Sequence, residues 1–296
     1  MSPLPVSGST HDEEAVSPGR ARNFGAAFAS IPACLAAVVM VCVVAMALLA
    51  PLISPHSPTA IAPAQRLMEP TAEHMLGTDA LGRDTFSRIV YGSRLSLTVG
   101  AGVTFFSVAL GLLIGVFAGY FRAFDMVVMR VMDGLMAIPG ILLAIALIAL
   151  TGASLTTVLV AIIVPEVPRV VRLVRGVILN VRSEAYVEAA VTLGSPVGRI
   201  LWRHLIPSTV APLTVQATFV FASAILTEST LSFLGAGLPS EIPSWGNMMA
   251  DGRMYFQLKP GLILLPGFAL AITLLSVNIL GDVLRDRLDP KMEKRT

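Results

Sequence analysis

Long stretches of this chain carry no Asp, Glu, Lys or Arg, and that pattern limits what it can fold into more than any other feature. No charged residue falls between Arg22 and Arg66, where the apolar part runs from about Pro32 to Ile53. A second run, Leu95 to Tyr120, lies between Arg94 and Arg122; a third lies between Arg203 and Glu228, and a fourth between Lys259 and Asp282. At a rise of about 1.5 Å per residue, about twenty apolar residues cross a hydrocarbon layer about 30 Å thick. With 55% apolar and 14% charged residues, a soluble domain would lack the polar groups to cover its surface.

The uncharged region Gly134 to Pro165 is too long for one span, and apolar residues continue past both ends. TGAS at 151–154 is a break signal inside it, which predicts two helices, about 125–150 and 155–175, with a tight turn at Gly152. Six spans result, in an all-α integral membrane protein. With the N-terminus in the cytoplasm, segments 1–30, 120–131, 166–207 and 284–296 hold 2, 2, 6 and 5 of the 21 Lys and Arg residues; the opposite side holds 4 in 54–94 and 2 in 236–259. The excess of positive charge inside fixes this orientation. The expected organisation is a disordered cytoplasmic tail at 1–30, rich in Ser, Pro and Gly, and a first span at 31–53. An external segment at 54–94 with a surface helix follows, then a core of five spans at 95–283 and a cytoplasmic tail at 284–296. The first apolar run begins late and is long enough to span, so it does not read as a cleavable signal peptide.

Motifs for chemistry are missing. No Gly precedes any of Lys259, Lys291 and Lys294, so there is no phosphate-binding GxxxxGK[ST] loop, and no G-x-S-x-G elbow occurs. His11, His56, His74 and His204 are scattered, without metal-ligand spacing, so no metal site is expected. Cys34 and Cys42 read as small packing residues of the first span. An enzyme is not expected, and any energy for transport must come from elsewhere.

The cytoplasmic loop at 181–207 holds two short helical patterns. Tyr186, Ala189, Ala190 and Leu193 form one apolar stripe; Gly194 suits the left-handed residue that closes a helix; Ser195 and Pro196 suit a new start. Val197, Ile200 and Leu201 continue the stripe with Arg199 and Arg203 turned away, and Pro207 is expected to end the second helix before the fifth span. Periodicity alone is equally consistent with a hairpin lying on lipid headgroups.

The order EAAVTLG at 188–194, then Pro207 thirteen residues on, resembles the EAA loop of ATP-binding-cassette (ABC) importer permeases. Further segments resemble the C-type permease of dipeptide, oligopeptide and nickel importers: HMLGTDALGRDTFSRIVYGSRLSLTVG (74–100), GYFRAFDMVVMRVMDGLMAIPGILLAIAL (119–147), VPRVVRLVRG (167–176), ILTESTLSFLGAGLPSEIPSWGNMMADGR (225–253) and NILGDVLRDRLDP (278–290). The likeness covers about 74–290 and departs at His204, where Ile is common. It implies a type I importer permease core and half of a translocation path for di- or oligopeptides, with nickel or another small solute as the alternative cargo. It also implies a second homologous permease, two ATPase subunits that carry the ATP and Mg, and an external binding protein, in the bacterial inner membrane with no nucleic-acid role. This chain itself would bind no cofactor. Glu188, Ala189, Ala190, Gly194 and Pro207 would sit at the contact with the ATPase.

Other residues carry two readings each. Gly111, Gly115 and Gly119, four apart, offer a face for close helix packing rather than a substrate site. Glu228 lies on a pathway or outer gate, or is held between helices by Thr227, Ser229, Thr230 or an Arg. Arg130 with Asp133, and Asp282 with Arg285, are spaced for intrahelical pairs. Glu166, between Pro165 and Pro168, marks an expected bend. Residues 78–91 are expected to form a surface helix started at Thr78 or Asp79, with Arg83, Asp84, Ser87 and Arg88 outward. Trp245, Met248 and Met249 suit an interfacial helix. A gradient-driven transporter, with Glu228 as its one candidate ion site, and a non-transporting scaffold are the rival classes.

Overall fold

The computed structural model describes residues 31–288; the tail at 1–30, His11 and the stretch 289–296 lie outside the described residues. Nine helices of eight residues or more organise them. α1 is Ile31–Leu48 and α2 Thr85–Tyr120. α3 is Arg122–Met136, α4 Gly140–Thr151 and α5 Leu155–Arg182. α6 is Ala185–Thr192, α7 Val197–Phe233, α8 Trp245–Gly252 and α9 Gly261–Leu288. Among the described residues only one isolated β-bridge occurs, Thr78 to Asp84.

α1, α2, α7 and α9 are each long and apolar enough to cross a membrane, and α3 with α4 makes a fifth if the bent pair is one span. α5 has the length, with 28 residues, but Glu166, Arg169, Arg172 and Arg175 crowd its second half. The six-span reading therefore needs both α5 and the bent pair. The chain is a multi-pass helical membrane protein.

Several expectations change in the structure. The single helix expected over 125–150 is two, meeting at 88°. Pro139 is the residue before α4; it has no N–H to give and pushes Ile138 away from helical geometry. At the other end of α4 the expected turn forms: Gly152 has φ +87, and Ser154 accepts the Thr157 N–H to start α5. α5 runs through both Pro165 and Pro168 without a break. Helix does not start at Thr78 or Asp79. It starts at Thr85, because the Asp84 carboxylate caps it by accepting the Ser87 N–H at 2.8 Å. The surface helix and the second span are then one helix of 36 residues, about 54 Å long at 1.5 Å per residue.

The core is built on α2 against α5. A Cβ placed on Gly111, Gly115 or Gly119 would stand 2.4, 2.7 or 2.6 Å from the Cβ of Val170, Val174 or Ile178. The helix received by this small-residue face belongs to the same chain. Val99, Val103, Val158, Ala161 and Val220 extend the core toward α7. Cys34 and Cys42 lie on exposed faces of α1 rather than packed inside.

Candidate functional site

Two ends of the bundle carry polar structure. At one, α5 ends beside the start of α3: Arg182 donates to the Tyr120 carbonyl at 2.9 Å, Arg172 pairs with Asp133 at 2.5 Å and Arg175 with Asp125. Asp133 therefore reaches across to α5, and neither Arg130–Asp133 nor Asp282–Arg285 forms an ion pair in the described residues. The loop that follows is α6, a turn, and the start of α7.

α6 closes on Gly194 at φ +75. The Ser195 N–H reaches the Ala190 carbonyl at 3.1 Å and the Gly194 N–H reaches Val191 at 2.9 Å, the paired closure that wants a left-handed residue. Nothing lies within 4 Å of a Cβ built there, so backbone conformation, not space, calls for glycine. Ser195 makes no side-chain cap; Pro196 is the residue before the helix, in extended conformation. Pro207 does not end a helix either. Helix continues through a π turn at Leu201–Leu205 into Ile206–Phe233. In that wide turn the Ile206 N–H bonds to the Leu201 carbonyl, and Pro207 follows where a missing N–H is absorbed. The loop is thus joined to a membrane helix without a flexible link.

Which face is anchored also differs from expectation. Val187, Ile200 and Leu205 are buried and hold the loop to the bundle. Of the predicted stripe, Ile200 faces in, but Tyr186 at 52% and Leu193 at 85% are turned outward, and Trp202, outside that stripe, is 74% exposed beside them. Ala189 is exposed as well, and the Tyr186 ring lies 5.9 Å from that of His204, bracing α6 on α7. Glu188 is exposed and forms no ion pair among the described residues; it lines an open hollow of about 560 Å³ with Tyr120, Arg182, Val191 and Thr192. A polar, Arg-bearing loop that displays Leu and Trp on short anchored helices presents a surface to be covered.

The opposite end holds a buried ionic cluster that the sequence reading placed at a solvent face. Arg83, Asp84, Ser87 and Arg88 are all buried. Asp79 takes the Leu81 and Arg83 backbone N–H groups at 2.8 and 2.9 Å, the Arg83 guanidinium at 2.5 Å and Arg88 at 2.8 Å. Asp251, at the end of α8, takes Arg83 at 2.7 Å and Arg88 at 3.3 Å. Burial pushes the Asp251 carboxyl up, against the pull of Arg83. Burial also raises Asp84, but hydrogen bonds from Ser87 and His74 outweigh it and hold that carboxyl below its ordinary range. Trp245 is fully buried, not interfacial, and donates to the Ile89 carbonyl at 3.1 Å. Met248 is buried beside it. This cluster locks residues 78–92 to the segment 238–252. The sequence signal for it was the density of paired Asp and Arg in GTDALGRD, read as an outer face because its helical start was misplaced.

Glu228 is fully buried, and hydroxyls of its own helix, Ser232 at 2.9 Å and Ser229 at 3.3 Å, satisfy it. No Arg pairs with it among the described residues. Glu166 accepts from Arg169 and, across the helix pair, from Ser223, both at 2.9 Å. That bond ties α5 to α7 mid-bundle.

Residues 111–294 match the family described as binding-protein-dependent transport system inner membrane component. The chain belongs to this family of ABC importer inner-membrane permeases. It is 52% identical to "Probable peptide ABC transporter permease protein y4tQ" of Sinorhizobium fredii, over 84% of this chain and 86% of that one. It is 41% identical to "Dipeptide transport system permease protein DppC" of Alkalihalophilus pseudofirmus, over 99% and 97%. With "Glutathione transport system permease protein GsiD" of Pectobacterium atrosepticum it shares 40% identity, over 76% and 75%.

Proposed function

We propose that this chain forms half of the translocation path of an ABC importer for di- or oligopeptides. It has six spans and both termini in the cytoplasm, and its partners are a second, homologous permease, two ATPase subunits that hold ATP and Mg, and an external binding protein. The relatives' names favour peptide cargo. The observation that carries the coupling role is the outward apolar face of α6 and the start of α7, with Leu193 and Trp202 at its centre. A scaffold or an ion-coupled carrier has no need of such a face beside a basic loop.

In this reading the ATPase grips Tyr186, Ala189, Ala190, Leu193 and Trp202, with Glu188 at the rim for a basic partner group. Closure of the ATPase pair displaces α6. Because α7 is one helix from Val197 to Phe233, the displacement passes into the bundle as a movement of that helix rather than being lost in a hinge. The Glu166–Ser223 bond and the α2–α5 glycine seam keep α5 and α2 moving with it. ATP shifts the bundle only through its different affinity for the two states, and this face is where that difference is transmitted. Gly194 and Pro207 set the geometry of the face rather than making the contact. Glu228, held by the hydroxyls of Ser229 and Ser232 and with Ser244 beside them, serves packing near the far end.

The test is uptake of a labelled dipeptide into proteoliposomes that contain the chain with its co-purified partners, ATP inside and binding protein outside. Uptake that needs ATP and survives proton and sodium ionophores supports the proposal. Uptake that is abolished by the ionophores with ATP present, or that proceeds without ATP, overturns it.

A further inference from the structure

We propose that His56, Gln65, Glu73 and His74 bind one resident divalent transition-metal ion of the zinc class, at the bundle end opposite the coupling loop. The residues are far from any metal motif in sequence, but the fold of the segment after α1 brings them together. One ligand atom each from His56, Glu73 and His74 lies within 4.8 Å of the others, and the two imidazole centroids are 4.7 Å apart. Two imidazoles on one zinc ion, with Zn–N of about 2.0–2.1 Å, place their ring centroids roughly 5 Å apart. His56 Nε2 is 4.0 Å from Glu73 Oε1; a tetrahedral zinc site asks for roughly 3.4 Å between such atoms, a small movement for a glutamate that is largely exposed.

A second observation points to a cation. His74 Nδ1 lies 2.9 Å from Asp84 Oδ1, with both side chains buried. Asp84 accepts there, as it does from the Ser87 N–H, so Nδ1 carries a proton and Nε2 is the nitrogen left to ligate in the neutral ring. This is the carboxylate–histidine arrangement that orients a metal-ligating ring. Nε2 lies 3.2 Å from Gln65 Oε1. A metal ion bound by both atoms would replace that contact with two coordinate bonds, and their separation is already close to a tetrahedral edge.

Two imidazoles, one carboxylate and one amide oxygen suit zinc, cobalt or nickel rather than magnesium or calcium, which take oxygen ligands. The ion would staple residues 56, 65 and 73–74 together and, through Asp84, to the first turn of α2. It would be a fixture of the fold and not cargo.

The full-length chain, purified in detergent with a histidine-free tag and stripped with a chelator, is titrated with ZnCl₂ by calorimetry and with CoCl₂ by absorption. The expected result is one zinc per chain, displacing cobalt from a site with visible d–d bands. His56→Ala and Glu73→Gln, at partly and largely exposed positions, should each weaken zinc binding at least about ten-fold, while His204→Ala and His11→Ala leave it unchanged. A chain that binds no zinc, binds it equally in wild type and His56→Ala, or binds magnesium as tightly as zinc overturns the proposal.

Discussion

Gly111 of α2 lies so close beneath Val170 of α5 that a methyl group on it would stand 2.4 Å from the Val170 Cβ. The seam repeats at Gly115 and Gly119, and it sets how near the two most extensively packed helices can come. Between helices in a bilayer, where exclusion of water supplies no drive, such close contact is what holds the pair.

Gly111→Ala should therefore destabilise by about 1–3 kcal/mol through overpacking, and Gly111→Leu should prevent the seam from closing. Gly134→Ala, on α3, where nothing lies within 4 Å of a new Cβ, should be neutral or mildly stabilising, since Ala exceeds Gly in helix propensity by about 1 kcal/mol. Thermal unfolding in detergent, followed by loss of the monodisperse peak, measures all three. Equal midpoints for Gly111→Ala and Gly134→Ala would contradict the account.

Asp79→Asn should be among the most damaging single changes at the far end. It leaves the guanidinium groups of Arg83 and Arg88, with side chains 5% and 1% exposed, facing only the Asp251 carboxylate, and removing one partner of a buried pair costs about 3–5 kcal/mol. Glu69→Gln removes a pair with Lys259 whose acidic partner is 80% exposed, and should cost no more than about 1 kcal/mol. Comparing the two by thermal unfolding and by protease resistance of the 54–84 segment checks the contrast.

At Gly194 the requirement is a left-handed backbone and not a small side chain. Asn, which tolerates that conformation, should support more ATP-driven uptake than Val, which does not; the difference in local stability is about 1–2 kcal/mol. Gly194→Arg and Glu188→Lys should leave the chain inserted and folded while uncoupling ATP hydrolysis from uptake. Transport at the wild-type rate in either of these two would remove the coupling role.

Much of this was readable from residues. Charge-free runs located the membrane helices, TGAS located the turn after α4, and EAAVTLG located α6 and its glycine closure. The failures share a cause: periodicity tells which residues share a face, but not which partner covers it. Tyr186, Ala189 and Leu193 do form a stripe, yet it points away from the bundle, since Val187 and Ile200 make the anchor. Arg83 and Arg88 fell on a polar face by spacing and lie buried, because Asp79 and Asp251, more than 160 residues apart, neutralise them. Pro207 read as a helix end, but a wide turn at Leu201–Leu205 carries the helix past it; Pro165 and Pro168 read as a bend, and α5 stays one helix through both. His56 and His74 meet only because the intervening chain folds back.

The most direct test of the central claim is whether the outward face of α6 and α7 holds the ATPase. The chain, tagged at its C-terminus, is purified in mild detergent from its native membrane as wild type and as Leu193→Asp/Trp202→Asp, and the co-purifying proteins are identified by mass. The account predicts that wild type brings down a second permease and an ATPase subunit, and that the double variant keeps the permease and loses the ATPase. An ATPase retained undiminished by the double variant, or a wild-type chain recovered without any ATPase, would contradict it.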